Sequence, residues 1–325
     1  MYCIIDNTTD PYWNLACEEY LLKYFDQPVF RLWRNENSVI IGRNQNALSE
    51  IDMDFVRREG VKVVRRLTGG GAVFHDLGNI NFSFASQRIK DEDTIAMFRR
   101  FTAPVIDALR DLGIPATLEG RNDLTIDGRK FSGNAICIHQ DRILQHGTLL
   151  FSSSISNLSG ALKVRPEKFS DKAVKSNRSR VTNISEHLPE PMTVEQFIDY
   201  LRLKIGRSCE TYQYSAADLQ NISRLAREKY STPEWNFGHS PRYSFHRCEK
   251  LSGGMVEVML QVEGGVIREI AIYGDYFFRR PSSEICALLQ GCPHTYEKIA
   301  ERLSTVTFDD YFCGISAADF VRLFF

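Results

Sequence analysis

Arg65-Arg66-Leu67-Thr68-Gly69-Gly70-Gly71-Ala72-Val73-Phe74-His75-Asp76-Leu77-Gly78-Asn79 decides how this 325-residue chain is read. Three adjacent glycines strip side chains from the backbone, so a ligand can lie against bare N–H groups. Two arginines precede them and a His-Asp pair follows. Val61-Lys62-Val63-Val64 before the glycines and Asn81-Phe82-Ser83-Phe84 after them have the composition of strands. The element is therefore strand, glycine loop, strand, with cations beside it. It suits an anion, most simply a carboxylate or a nucleotide phosphate. Glycine is also the ordinary residue of a tight hairpin, but such a turn has no need of flanking arginines. The familiar phosphate loops do not fit. Phe74 stands where Gly-x-Gly-x-x-Gly needs its last glycine, and Gly-Lys-Ser/Thr occurs nowhere.

Working outward, Glu119-Gly120-Arg121-Asn122-Asp123-Leu124 is followed by Asp127-Gly128-Arg129-Lys130-Phe131-Ser132-Gly133-Asn134-Ala135. Asp-Gly is a strong hairpin-turn pair, so Asn122-Asp123 and Lys130 fall on adjacent antiparallel strands. A carboxylate and an amine side by side can hold a metal ion and a phosphate together. A surface hairpin with a solvated lysine is the plainer reading. The small residues Ser132 and Gly133 weaken it, because they leave space beside the lysine.

Together these stretches resemble the lipoate–protein ligase family. Arg-Arg-x-Thr-Gly-Gly-Gly-Ala-Val-Phe-His-Asp-x-Gly-Asn, Gly-Arg-Asn-Asp-Leu and Gly-Arg-Lys-x-Ser-Gly-Asn-Ala are family signatures, here in family order. The resemblance runs nearly end to end. It includes Asn14-Leu15-Ala16 with Glu18-Glu19, Leu32-Trp33-Arg34, Val39–Arg43 and Gln45-Asn46. Later come Gln145–Leu150, Ser179–Asn183 and Trp235–Gly238. It implies an α+β chain: the biotin/lipoyl protein ligase fold, class II synthetase-like, with a mixed, mainly antiparallel sheet and helices, plus a smaller α+β C-terminal domain.

Bulk properties agree with a soluble intracellular enzyme. The length allows two domains and a sizeable core. A formal net charge of −1 gives no global field toward nucleic acid or anionic membrane. Neither a secretory h-region nor a transmembrane-length apolar run is visible, so a cytoplasmic location is expected, with no membrane and no nucleic-acid partner. The 8 cysteines are scattered without Cys-x-x-Cys and read as reduced thiols.

Residues 12 to 25 read as helix, and Val29–Trp33 with Ser38–Gly42 as a strand pair. Thr94 to Leu112 reads as an amphipathic helix striped by Phe98, Phe101, Val105, Leu109 and Leu112, bent at Pro104. Thr193–Gln196 is a capping box, and Ser215–Asp218 opens a further helix. Pro233 to Pro241 reads as a linker. Strands over 243–248, 255–262 and 266–273 and three short helices then make a compact unit. The expected division is residues 1–238, catalytic, and 239–325, accessory.

The chemistry implied by the resemblance has two steps. Lipoate and ATP give lipoyl-AMP and pyrophosphate; the lipoyl group then passes to a lysine ε-amine of an acceptor protein. Lys130 is the expected catalytic residue, neutralising carboxylate and α-phosphate together. The adenylate site is expected from Arg66, Gly71, Ala72, Val73, Phe74, Asn122, Asp123 and Lys130. The lipoate site is expected from Arg66, Gly70, Gly71, His75, Lys130, Ser132, Gly133, His146 and Gly147. Asp123 is the expected Mg²⁺ ligand, since that ion takes few protein carboxylates and keeps waters. Apolar residues near Trp33 are expected to wrap the acyl chain, and Asn79 to hold the loop or reach the ligand. The cationic stretch Lys163–Arg180 is expected to cover the adenylate, and residues around Phe237–Pro241 to act as a hinge. Acceptors implied are lipoyl domains of 2-oxoacid dehydrogenase acyltransferase subunits and the glycine-cleavage carrier protein.

Octanoyl- and lipoyl-amidotransferases share the fold but use a cysteine nucleophile and no ATP. Cys137 lies on an apolar strand and reads as core. Biotin–protein ligases order their arginine and glycines differently. A non-catalytic ligand-binding regulator has no use for both Lys130 and Asp123. Whether octanoate is accepted stays open, because dithiolane and methyl tails differ little in an apolar tunnel.

Overall fold

The central hairpin forms where the Asp-Gly pair demands it. In the computed structural model, Asp127 and Gly128 both take positive φ, at 50° and 73°, and join two strands. The structure describes residues 1–45, 47, 51, 53–154, 181–237, 245–263 and 265–325. The expectations for Asn46, for Lys163–Arg180 and for the hinge beyond Phe237 lie outside these described residues.

In chain order the first half contains β1 (Tyr2–Ile5), α1 (Pro11–Lys23), β2 (Val29–Trp33), β3 (Ser38–Ile41), α2 (Met53–Arg58), β4 (Lys62–Arg65), β5 (Val73–His75) and β6 (Asn79–Gln87). There follow α3 (Thr94–Asp111), β7 (Ala116–Glu119), β8 (Asp123–Ile126), β9 (Arg129–His139), β10 (Arg142–Leu150), α4 (Val194–Ile205), β11 (Glu210–Thr211), α5 (Ala216–Leu225) and α6 (Pro233–Phe237). Local chemistry accounts for the helix starts. Asp10 caps α1 with Pro11 in its first turn. Thr193 and Ser215 build the capping boxes of α4 and α5. Helix α3 runs on through Pro104 and buries Phe98, Phe101, Val105 and Leu109 on one stripe.

Eight strands form one sheet in the order β11-β1-β2-β6-β10-β9-β8-β7. β1 pairs in parallel with β11 and β2, and the other pairings are antiparallel. The sheet is thus mixed and mainly antiparallel. One face packs on α3 and α4 in a large apolar cluster, and α1 belongs to a second cluster with Trp33, Ile40 and Leu144.

The expected pairing of Val29–Trp33 with Ser38–Gly42 is corrected. β2 lies between β1 and β6, whereas β3 is the middle of a separate three-stranded sheet, β4-β3-β5. Both strands are buried throughout, so each needs two neighbours and finds them elsewhere. This small sheet is where the glycine loop begins and ends. β4 leads in parallel to β3, and β5 returns antiparallel to it.

The C-terminal residues add β12 (Phe245–Leu251), β13 (Gly254–Glu263), β14 (Val266–Gly274), α7 (Ser282–Leu289), α8 (Tyr296–Leu303) and α9 (Ala317–Arg322). The strands form an antiparallel sheet covered by the helices, with its own buried cluster from Val256 to Phe324. Phe277 is the exception. It packs with the core of the first unit, its ring 5.6 Å from that of Phe98 and 4.0 Å from the Arg121 guanidinium. Arg121 also donates to the Gly253 carbonyl at 2.7 Å. A side chain on Gly69 would stand 2.6 Å from the Tyr276 carbonyl oxygen, so the first loop glycine is also a docking surface. Among the described residues, no helix is long and apolar enough to cross a membrane.

Candidate active site

The glycine loop is shaped by the arginines that precede it. Arg66 donates from Nε to Thr68 Oγ1, from Nη1 to the Ile40 carbonyl, and from Nη2 to the carbonyls of Gly69 and Gly71. Burial pulls its guanidinium down to about 10, still charged at neutral pH. Arg65 spends its fork on the carbonyls of Gly42, Arg43, Gln45, Trp235 and Asn236. Both cations thus act first on backbone. A side chain at Gly42 would overlap the Gly70 carbonyl oxygen, so the loop rests on bare backbone there.

Across from the loop stands the β8–β9 hairpin. A register shift between Leu124 and Thr125 offsets the two strands. Lys130 Nζ meets Asp123 Oδ1 at 2.7 Å, with both side chains 40% exposed. A Cβ on Gly133 would stand 3.1 Å from Lys130 Nζ, so glycine there leaves room for the ammonium. Asn122 and Asn134 tie the base of the hairpin. Asn122 Nδ2 donates to the Asn134 carbonyl at 2.6 Å, and Asn134 Nδ2 to the Asn122 carbonyl at 3.0 Å.

Loop and hairpin enclose a cleft of about 660 Å³ including its open mouth. Among the expected residues, Arg66, Gly70, Gly71, Ala72, Val73, His75, Asn122, Lys130, Gly133, His146 and Gly147 line it, as does Trp33. Three do not. Phe74 points away into the cluster with Val39 and Ile41, because alternation along β5 sends Val73 and His75 one way and Phe74 the other. Ser132 is buried and accepts from Asn134 Nδ2 at 3.2 Å. Asp123 stands outside the lining beside Lys130. Asn79 is buried and donates to Asn81 Oδ1.

Beneath the cleft runs a polar chain. His146 Nδ1 meets the Glu18 carboxylate at 2.9 Å and Nε2 meets Thr68 Oγ1 at 2.9 Å. Ser83 donates to Glu18 at 2.6 Å and receives from Trp33 Nε1 at 2.8 Å. Burial alone pushes the Glu18 carboxyl up; His146, Ser83 and Arg31 outweigh it and hold it below its ordinary 4.5. Helix α1, the loop and the Trp33 side of the cleft are thereby joined. Sequence reading noted Glu18 only within the resemblance and missed the roles of Thr68, Asn81 and Asn134. The available signal is Asn14 and Glu18 one turn apart among the buried residues of this helix.

All eight cysteines are free thiols, and none lines the cleft. Burial pushes Cys137 up to about 12, which suppresses the thiolate a nucleophile needs.

The lipoyl protein ligase A/B catalytic domain matches residues 10–206, and the bacterial lipoate protein ligase C-terminus matches residues 240–324. The chain belongs to the lipoate–protein ligase family. It is 42% identical to the lipoate-protein ligase LplJ of Bacillus subtilis, over 98% of each chain. It is 39% identical to lipoate–protein ligase 1 of Staphylococcus aureus, again over 98% of each. A bi-partite lipoate protein ligase, studied with its E2 lipoyl domain, from Thermoplasma acidophilum superposes with a TM-score of 0.66 at 31% identity, over 75% of this chain and 98% of that one. A lipoate-protein ligase A bound with ATP superposes with a TM-score of 0.63 at 29% identity, over 73% of this chain and 98% of the other.

Proposed function

We propose that the cleft joins lipoate to ATP and that the chain then lipoylates a lysine of a lipoyl domain. The carrying observation is the Lys130 ammonium, at the cleft mouth with space kept beside it by Gly133 and with the exposed Asp123 as its ion-pair partner among the described residues. In the first step a carboxylate oxygen of lipoate attacks the α-phosphorus of ATP, and pyrophosphate leaves. Two anions must meet, so Lys130 between them lowers the repulsion and stabilises the charged transition state. In the second step a lysine amine of the acceptor attacks the acyl carbon. AMP leaves with the bonding pair, and the amine loses a proton to give the amide.

Backbone N–H groups from Gly71 to Phe74 line the adenylate, and Arg66 acts by holding that backbone in shape. Asn122 and Asp123 border the phosphates, while Gly70, His75, Gly133, His146 and Gly147 complete the acyl side and Ser132, buried behind them, braces Asn134. The donor set fits Mg²⁺, which needs few protein carboxylates when phosphates and water supply the rest. Asp123, an exposed carboxylate at the mouth, would hold the ion, and the ion would neutralise phosphate charge. We read residues 1–238 as the catalytic unit and 239–325 as the accessory one. The ATP-bound relative and the relative studied with its E2 lipoyl domain support the nucleotide and the acceptor class. The glycine-cleavage carrier protein is the second acceptor proposed.

ATP–pyrophosphate exchange, run with lipoate, octanoate and biotin, tests this reading. Exchange with lipoate and not with biotin is expected. Exchange with none of the three would sink it.

A further inference from the structure

Arg31, whose guanidinium can only donate, sets a chain of hydrogen bonds that ends in the cleft. Arg31 Nη2 donates to Asn14 Oδ1. Asn14 Nδ2 is therefore a donor, and it reaches Asn35 Oδ1 at 2.9 Å and the carbonyls of Thr8 and Arg34. That leaves Asn35 Nδ2 as the donor to His75 Nδ1 at 3.0 Å. A ring nitrogen that accepts carries no proton, so neutral His75 bears its proton on Nε2. Burial keeps the ring neutral by pulling it down to about 3. His75 Nε2 is buried and has no acceptor among the described residues. Asn81 Nδ2 is in the same condition, on the residue paired across the sheet with Trp33. The Trp33 and His75 rings are 6.2 Å apart, and all three residues line the cleft.

Exposure orients the ligand. Lys130 stands at the open end with a side chain 40% exposed, while Trp33, His75 and Asn81 are each at most 3% exposed. An acid whose carboxyl reacts beside Lys130 must send its tail toward these buried residues. A hydrocarbon tail leaves a buried N–H without an acceptor, which is costly, whereas divalent sulfur accepts weakly.

We propose that the Nε2–H of His75, with Asn81 Nδ2 on the same cleft lining, recognises a ring sulfur of the acyl tail and selects a dithiolane over a hydrocarbon tail of the same shape. This rests on the function proposed above and names the feature of the substrate that the site reads.

The test compares lipoate with cyclopentyl-pentanoate, which has the same ring size with carbon in place of both sulfurs. Pyrophosphate release by the full chain should favour lipoate in kcat/KM, and His75→Phe should cut that preference about five- to tenfold, with the loss falling on lipoate. If the wild-type chain turns over neither acid, this inference falls together with the function. If it turns over lipoate and His75→Phe leaves the ratio unchanged, the inference alone is overturned. Should His75→Phe fail to fold, long-range ¹H–¹⁵N spectra of the wild-type chain decide. A neutral Nε2–H ring whose proton shifts with lipoate and not with cyclopentyl-pentanoate supports the assignment. A proton on Nδ1, or equal shifts with both acids, overturns it.

Discussion

The two walls of the cleft are built on opposite principles. The glycine-loop wall is closed: Arg66 is buried, and its bonds to one hydroxyl and three carbonyls shape the backbone. The hairpin wall is open, with Lys130 and Asp123 paired in contact with solvent. A solvent-exposed ion pair contributes only about 0–1 kcal/mol. The bonds of Arg66 cannot be exchanged without unsatisfying buried carbonyls, so that wall holds shape. The Lys130–Asp123 pair can be exchanged cheaply, so that wall can hand its cation to an arriving anion.

The sharpest way to break this comparison is Lys130→Ala. Pyrophosphate release with lipoate and ATP should fall on the order of 10²- to 10³-fold, while urea unfolding changes by under about 1 kcal/mol. Lys130→Arg should also be poor, because a broad fork does not replace a compact charge. A folded Lys130→Ala chain with near-normal rate would remove the lysine from the chemistry.

Arg66→Met should show the reverse balance. Leaving the buried carbonyls of Ile40 and Gly69 and the part-buried one of Gly71 unpaired should cost on the order of 3 kcal/mol in urea unfolding. Equal stability losses for Arg66→Met and Lys130→Ala would erase the distinction between the walls.

The C-terminal residues sharpen the closed wall further, because Phe277 and the Tyr276 carbonyl lie against its glycines. Phe277→Ala should slow pyrophosphate release several-fold and leave transfer from supplied lipoyl-AMP less affected. The two half-reactions, measured separately, check this. Equal slowing would assign Phe277 to general packing.

The network under the closed wall carries a pH signature. Glu18 has its folded pKa below the ordinary 4.5, so its stabilisation is fully present above that value and is lost as pH falls through the lower range. Glu18→Gln should flatten that acid limb, read as unfolding midpoint against pH. A limb of unchanged steepness would show that other carboxylates carry it. The smallest effect is expected for Cys137→Ala, which should lipoylate an acceptor within about twofold of the wild-type rate when ATP is present. Lost transfer in a folded variant would restore a thioester route.

Read alone, the sequence settles what local chemistry dictates. Gly69–Gly71 demand a backbone-lined loop, Asp127-Gly128 a hairpin that brings Asp123 to Lys130, and Thr193 and Ser215 two helix starts. The α3 stripe and the strands of the C-terminal unit are legible for the same reason, since periodicity is written residue by residue. The family signatures carry the cleft lining from Gly70 to Gly147. Tertiary structure alone decides the partners of whatever is buried on every side. β3 leaves β2 for β4 and β5, because two fully buried strands carry no pattern that names their neighbours. Arg66 bonds three backbone carbonyls and one hydroxyl, and Glu18 finds His146 across 128 residues of chain. His75 acquires its tautomer from Arg31 through Asn14 and Asn35. In each case the residue type offers several hydrogen-bond roles, and only the neighbours that folding supplies select one.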